Sequence, residues 1–329
     1  MNMRRFSQTY LLVKLGYWAV VVALYKATMD SSSQLSTAFI ATAATTFNAP
    51  NMGLIAFFGL VSLVLTRTRA FSETVVPVVY ILVAQVPFFA AFHTFKLLVP
   101  QPAGFWADIP LARFDAWLHG GQSAWDAYAA AFGRFIPDDL VVMSYFSLWG
   151  AIAYVFPACI VAFERDPKVA IRYVWLCGLT WVILGNVIAI AAASAGPVYF
   201  FNVTGQDDFR FLSGFLGEND DIFGGLMALQ DRLWLQHQDG DLGTGVSAFP
   251  SLHVAASMLP FLYAVEKLGK WAVPFAVFPF IIQYGSVRTG FHYAVDGYFS
   301  ILVVVAIHIW LKRRADRKPA GTDLLSPMS

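Results

Sequence analysis

Charge is scarce in this 329-residue sequence: Asp, Glu, Lys and Arg make up 13% of it, against about a quarter of a typical soluble chain. Hydrophobic residues account for 58%, so a soluble globular domain is excluded and a membrane protein is expected. Basic excess is also missing. The formal net charge is +1, and Lys and Arg stand in short clusters between apolar runs, which leaves no footprint for nucleic acid. The only cysteines, Cys159 and Cys177, both lie inside hydrophobic runs, so neither a disulfide framework nor a thiolate metal site is expected. No repeat with a period of about 20 to 50 residues is visible. The basic, then apolar start lacks a clean small-residue cleavage site, and Lys14 and Lys26 interrupt it; it reads as an uncleaved first span.

What is abundant is apolar sequence of membrane-crossing length. A helix needs about 20 apolar residues to cross the hydrocarbon layer. The runs at about 10–29, 50–66, 74–99, 139–163, 171–194, 250–266, 271–288 and 291–311 predict an all-α, polytopic transmembrane bundle of about eight spans. With a cytoplasmic N-terminus, 14 Lys and Arg residues fall on the cytoplasmic side and 6 on the other, and an even span count keeps both ends inside. The expected organisation is a two-span extension over 1–73, a six-span membrane domain over 74–311 and a basic cytoplasmic tail over 312–329. Two long loops, about 100–138 and 195–249, then face away from the cytoplasm. Ile109, Leu111, Phe114, Leu118 and Trp125 predict one or two interfacial helices in the first of them.

Chemistry-bearing residues gather at two span starts on that side. In "AFPSLH", Pro250 suits the first helical position, and the free N–H groups of the opening turn form an anion cradle to which Ser251 adds a hydroxyl and His253 a proton donor. In "GSVRTGFHYAVDG", His292 and Asp296 are spaced for one helix face, so that the carboxylate holds one ring nitrogen and leaves the other free. Arg288, four residues before His292, is positioned to address the same anion, a phosphate by the cradle's character.

Pro-Ser-x-His at one span start and His-x-x-x-Asp one span later resemble the type 2 phosphatidic acid phosphatase superfamily. "AFPSLH" with "HYAVD" looks most like its branch of inositol phosphorylceramide synthases, and "SAGPVYF", with Pro197 and Tyr199, is similar to a segment of that branch. The resemblance implies a six-helix core and a phosphohistidine mechanism without a cofactor or metal. His292 would be the nucleophile, Asp296 its orienting partner and His253 the acid and base, with Ser251, Arg288, Pro197 and Tyr199 about the phosphate. The implied partners are a membrane lipid bearing a phosphate and, for a transferase, a lipid hydroxyl acceptor such as ceramide or diacylglycerol. The sequence departs from the family pattern in three places. There is no Lys followed by Arg-Pro before "SAGPVYF", Gly285 and Ser286 replace a Ser-Arg pair, and Leu252 replaces a Gly. Lost cations favour a phosphodiester or headgroup transfer over hydrolysis of a lipid phosphomonoester, which stays open as the alternative.

A transporter or flippase with a histidine proton relay is the rival of another class; it predicts ionisable residues at mid-membrane rather than at span ends. "GENDD" at 217–221 and "HQDGD" at 237–241 lack the spacing of a calcium or metal loop and read as solvated loops. His93 and His308, inside apolar runs, read as a helix-packing residue and a residue near the cytoplasmic headgroups.

Overall fold

The computed structural model describes residues 2–29, 71–239 and 246–316. All regular structure among them is helical. The expected second span at about 50–66, Gly240 and Asp241 of "HQDGD" and the tail beyond 316 lie outside the described residues, as do residues 30–70 of the expected N-terminal extension.

Twelve helices carry the fold: α1 Met3–Met29, α2 Phe71–Lys96, α3 Asp108–Leu118, α4 Ala124–Phe132, α5 Asp138–Phe163, α6 Pro167–Ala191, α7 Phe200–Thr204, α8 Phe211–Glu218, α9 Asp220–Gln238, α10 Leu252–Leu268, α11 Val277–Arg288 and α12 Ala294–Asp316. Among the described residues five, namely α1, α2, α5, α6 and α12, are long and apolar enough to cross a membrane. The chain is therefore a polytopic helical membrane protein. α10 has 17 residues and α11 only 12, since Gly269 (φ +56°) ends the first and a 3-10 stretch, Gly269–Ala276, containing Pro274, precedes the second.

The ends differ from the sequence expectation for local reasons. α1 starts near residue 3 rather than 10 because the Asn2 side chain accepts the Arg5 N–H and the two arginines stay exposed. α12 runs to Asp316 through Lys312, Arg313 and Arg314, cations that suit a helix C-terminus. The segment expected as a long loop over 195–249 is largely helical, as α7, α8 and α9. "GENDD" supplies the α8–α9 junction, with Asp220 and Asp221 in the first turn of α9, where carboxylates complement the helix dipole, and His237 stands in the last turn. The two interfacial helices expected over 100–138 are α3 and α4.

An aromatic layer binds α2 to α5, α6 and α10: Phe88, Phe89 and Phe92 pack on Trp181, Ala153 and Ala256. Gly185 permits the approach, because a Cβ there would collide with the Phe92 ring and come within 2.8 Å of Leu252. Both α5 and α6 contain a π-helical turn, at Met143–Leu148 and Ile183–Ile188. Such wide turns often occur at functional sites, and these two flank the end of the bundle where the histidines lie. At the opposite end Arg172 pairs with Glu266, and Lys267 with Glu164 at 2.5 Å.

Candidate functional site

Ser251 caps α10. Its hydroxyl accepts the Val254 N–H at 3.4 Å, so the helix begins at Leu252, and Pro250 lies before the cap, after a cis Phe249–Pro250 bond. The expected place for Pro250 at the first helical position is thereby corrected: serine outcompetes it because its side chain satisfies an otherwise unpaired N–H. Ser251 is fully buried, and its own N–H is donated to the Asp296 carbonyl at 3.3 Å. That bond ties the start of α10 to the start of α12.

His253 follows in the first turn of α10. Its ring stacks on Tyr145 at 4.2 Å and lies 4.1 Å from Trp149, while the Trp149 indole N–H is donated to the His253 carbonyl at 2.9 Å. The π-turn of α5 carries Tyr145, and Trp149 immediately follows it.

His292 stands outside α12, in the turn after α11, so the two residues of "HYAVD" do not share a helix face. Asp296 instead reaches back from the first turn of α12. Its Oδ2 accepts the Tyr293 N–H at 3.2 Å and lies 3.2 Å from His292 Nδ1. The other ring nitrogen, Nε2, is 3.4 Å from His253 Nδ1. Asp296, His292 and His253 thus form one chain of polar contacts. Burial, then the charge of Lys96, lowers the His292 imidazole to about 3, so the ring is neutral at ordinary pH.

"SAGPVYF" is laced between the two histidine segments. Ala248 N–H is donated to the Ser194 carbonyl at 2.8 Å, and Val198 N–H to the Gly290 carbonyl at 2.9 Å. Gly196 (φ +95°) is required, since a Cβ would strike the Phe291 carbonyl. The anchor is Asp108, a fully buried carboxylate at the head of α3. It accepts from Ser194 Oγ, Ala195 N, Gly196 N and Tyr293 OH, at 2.8 to 2.9 Å. Burial pushes this carboxyl up, against those four hydrogen bonds.

A cavity of about 310 Å³ opens beside the histidines. His253 and His292 line it, with Tyr199, Phe291, Trp149 and Trp181; from α2 come Phe92, His93 and Lys96. Its size and its apolar walls with few polar groups suit an organic ligand. Of the other expected site residues, Tyr199 donates its hydroxyl to the Gln230 carbonyl at 2.9 Å, and Pro197 opens a buried 3-10 turn away from the cavity wall. Ser251 does not line the cavity either. Arg288 is not brought to the histidines. Its Nε and Nη2 are donated to Asp138 at 2.9 Å each, and its guanidinium lies 4.8 Å from Trp125 and 4.0 Å from Phe215. The bidentate partner, which is 138 residues into the chain and invisible to local spacing, takes the cation.

Several site residues escaped the sequence reading. The sequence reads His93 as a helix-packing residue, yet it lines the cavity, and so does Lys96, the last residue of α2. The signal for both was present: α2 ends on the side where α10 and α12 begin. Asp108 and the Tyr145–Trp149 pair gave no local signal, since their partners are 86 or more residues away. His308 lies 3.8 Å from Glu266, at the other end.

The sequence profile described as the PAP2 superfamily matches residues 109–310. This chain belongs to that superfamily. No curated protein and no solved structure matches the chain. Superfamily members are phosphatases and phosphotransferases, which makes this chain an integral-membrane enzyme of the lipid phosphatase and phosphotransferase type with a lipid phosphate substrate. α1, α2 and Asp108 precede the matched residues.

Proposed function

We propose that this protein transfers a phosphate-linked headgroup from one membrane lipid to the hydroxyl of another, in the manner of the inositol phosphorylceramide synthases, through a phosphohistidine on His292. The observation that carries the reading is the contact chain from Asp296 through His292 to His253, opening on a largely aromatic cavity.

The tautomers follow from the partners. Asp296 accepts the Nδ1–H of His292, which leaves the Nε2 lone pair for phosphorus, and the same nitrogen is within reach of the Nδ1–H of His253. When the donor lipid enters, Nε2 attacks phosphorus, an N–P bond forms and the P–O bond to the diacylglycerol oxygen breaks. His253, which enters this step with a proton on each ring nitrogen, gives one of them to that leaving oxygen and is left neutral. In the second half His253 takes the proton of the acceptor hydroxyl, the acceptor oxygen bonds phosphorus and the N–P bond breaks. Asp296 balances the positive charge that grows on His292 in the first step. Faces of Tyr145 and Trp149 serve the protonated His253 as cation–π partners. With water as acceptor the same steps give hydrolysis.

The excess of Lys and Arg at the other end of the bundle supports a non-cytoplasmic site with both termini inside. The test uses purified protein in mixed micelles with labelled phosphatidylinositol, with and without ceramide, and with phosphatidic acid. A new phospholipid formed only with an acceptor, and lost at least a thousandfold (~10³) in His292→Ala, supports the reading. Acceptor-independent release of phosphate or headgroup makes the protein a hydrolase, and equal rates in both proteins remove the phosphohistidine.

A further inference from the structure

The charge inventory of the cavity is uneven. Among the described residues that line it there is one lysine, Lys96, no arginine and no carboxylate. Lys96 ends α2 and is partly buried; its Nζ lies 5.8 Å from the Phe92 ring centre, and no ion pair links it to a described carboxylate within 4.0 Å. A cation held at an apolar wall without a counter-charge is costly, and an anion entering beside it removes that cost. The two sources of positive charge that the sequence motifs offer are closed. Arg288 is bound to Asp138 on two nitrogens, and the positions resembling a Ser-Arg pair hold Gly285 and Ser286. α2 itself is fixed in place by the Phe88–Phe92 layer on Trp181, and Gly185 leaves room for Phe92.

We propose that Lys96, supplied by a helix that precedes the residues matched to the superfamily, is the group that binds the substrate phosphate, and that this single cation selects a phosphodiester monoanion over a phosphomonoester dianion. The inference rests on the reading above. His93, three residues earlier on α2, lines the same wall and supplies a ring N–H to a second phosphate oxygen. A lysine at a helix end can also serve merely as an interfacial anchor, reaching to the headgroups. Anchoring leaves substrate recognition unchanged, and this separates the two roles.

The experiment compares the full-length wild type with Lys96→Met, Lys96→Arg and His292→Ala in mixed micelles. Readouts are KM and kcat on phosphatidylinositol with ceramide, the rate on phosphatidic acid, and the thermal shift on adding inorganic phosphate. Expected are a ~10²- to 10³-fold loss of kcat/KM in Lys96→Met, recovery of most of it in Lys96→Arg, and a phosphate-induced shift present in wild type and His292→Ala but absent in Lys96→Met. Wild-type kinetics and phosphate shift in Lys96→Met overturn the proposal, and faster wild-type turnover of phosphatidic acid than of phosphatidylinositol overturns the charge selection. If Lys96→Met does not purify, Lys96→Gln against Lys96→Arg makes the same comparison, and equality between them overturns the assignment. Activity surviving in His292→Ala, with the phosphate shift still dependent on Lys96, removes the histidine mechanism and leaves the lysine site standing.

Discussion

His292 Nε2 lies 3.4 Å from His253 Nδ1 although the two residues are 39 positions apart, on segments joined by the Ser251 N–H to Asp296 carbonyl bond. The nitrogen proposed to attack phosphorus is therefore already beside the nitrogen proposed to move the proton. Asp296→Asn keeps the shape of the side chain and removes the negative charge that faces His292. The expected result is a fall in kcat of about 10²- to 10⁴-fold with KM nearly unchanged, read from initial rates; a fall confined to KM would contradict the orienting role.

Trp149→Phe removes the indole N–H that holds the His253 carbonyl and keeps most of the ring surface. A loss of about 1 kcal/mol in stability is expected from the missing hydrogen bond, together with a lower kcat. Thermal melts and initial rates on one preparation check both parts, and an unchanged kcat would count against His253 as proton carrier.

Four donors converge on the Asp108 carboxylate. Asparagine would place an NH₂ against some of them, so Asp108→Asn is expected to cost about 2 to 3 kcal/mol, whereas Tyr293→Phe, which removes one donor, costs about 1 kcal/mol. Denaturation in detergent ranks the two variants, and the reverse order would show that the Tyr293 hydroxyl matters more than the backbone contacts.

Much of this arrangement was legible in the sequence, and the remainder was hidden for physical reasons. His253, His292 and Asp296 could be read because each motif is local and starts at the end of an apolar run. The contact between the motifs followed only from placing both runs on one side of the membrane. The i, i+4 spacing inside "HYAVD" predicts one shared helix face, whereas His292 stands before α12, which begins at Ala294. Arg288 looked free because Asp138, its partner 150 residues away, is part of a different span. Lys96 and Asp108 depend in the same way on packing between distant segments, which no periodicity reports. Pro274 and Gly269 are ordinary turn residues, yet together they turn an expected continuous span into a 3-10 stretch followed by the short α11.

Arg288→Met breaks the pair with Asp138 and leaves a partly buried carboxylate unpartnered. A destabilisation of about 2 to 4 kcal/mol is expected, with unaltered protection by inorganic phosphate, and Asp138→Asn combined with Arg288→Met recovers part of it. A phosphate shift lost in Arg288→Met, at full stability, would return this arginine to the substrate site.

The neutral state of His292 gives a pH signature. Its imidazole is lowered to about 3 by burial first and the Lys96 charge second, so the free lone pair persists through mildly acidic pH and disappears as pH falls through that value. Removing the Lys96 charge stabilises the imidazolium and raises the His292 pKa. The acid limb of kcat/KM should thus move to higher pH in Lys96→Met; a limb that stays in place or moves down would show that the lysine does not act electrically on His292.

The π-turn at Ile183–Ile188 has a consequence for insertions and deletions. A wide turn holds one residue more than the regular helix it interrupts, and one residue corresponds to about 100° of rotation. Deleting a residue there would restore a regular helix and swing its downstream end through that angle, carrying Ser194, Ala195 and Gly196 off Asp108 while leaving the composition of the span almost unchanged. A single extra residue in α6 thus sets the phase at which the chain leaves the helix to meet the two histidine segments.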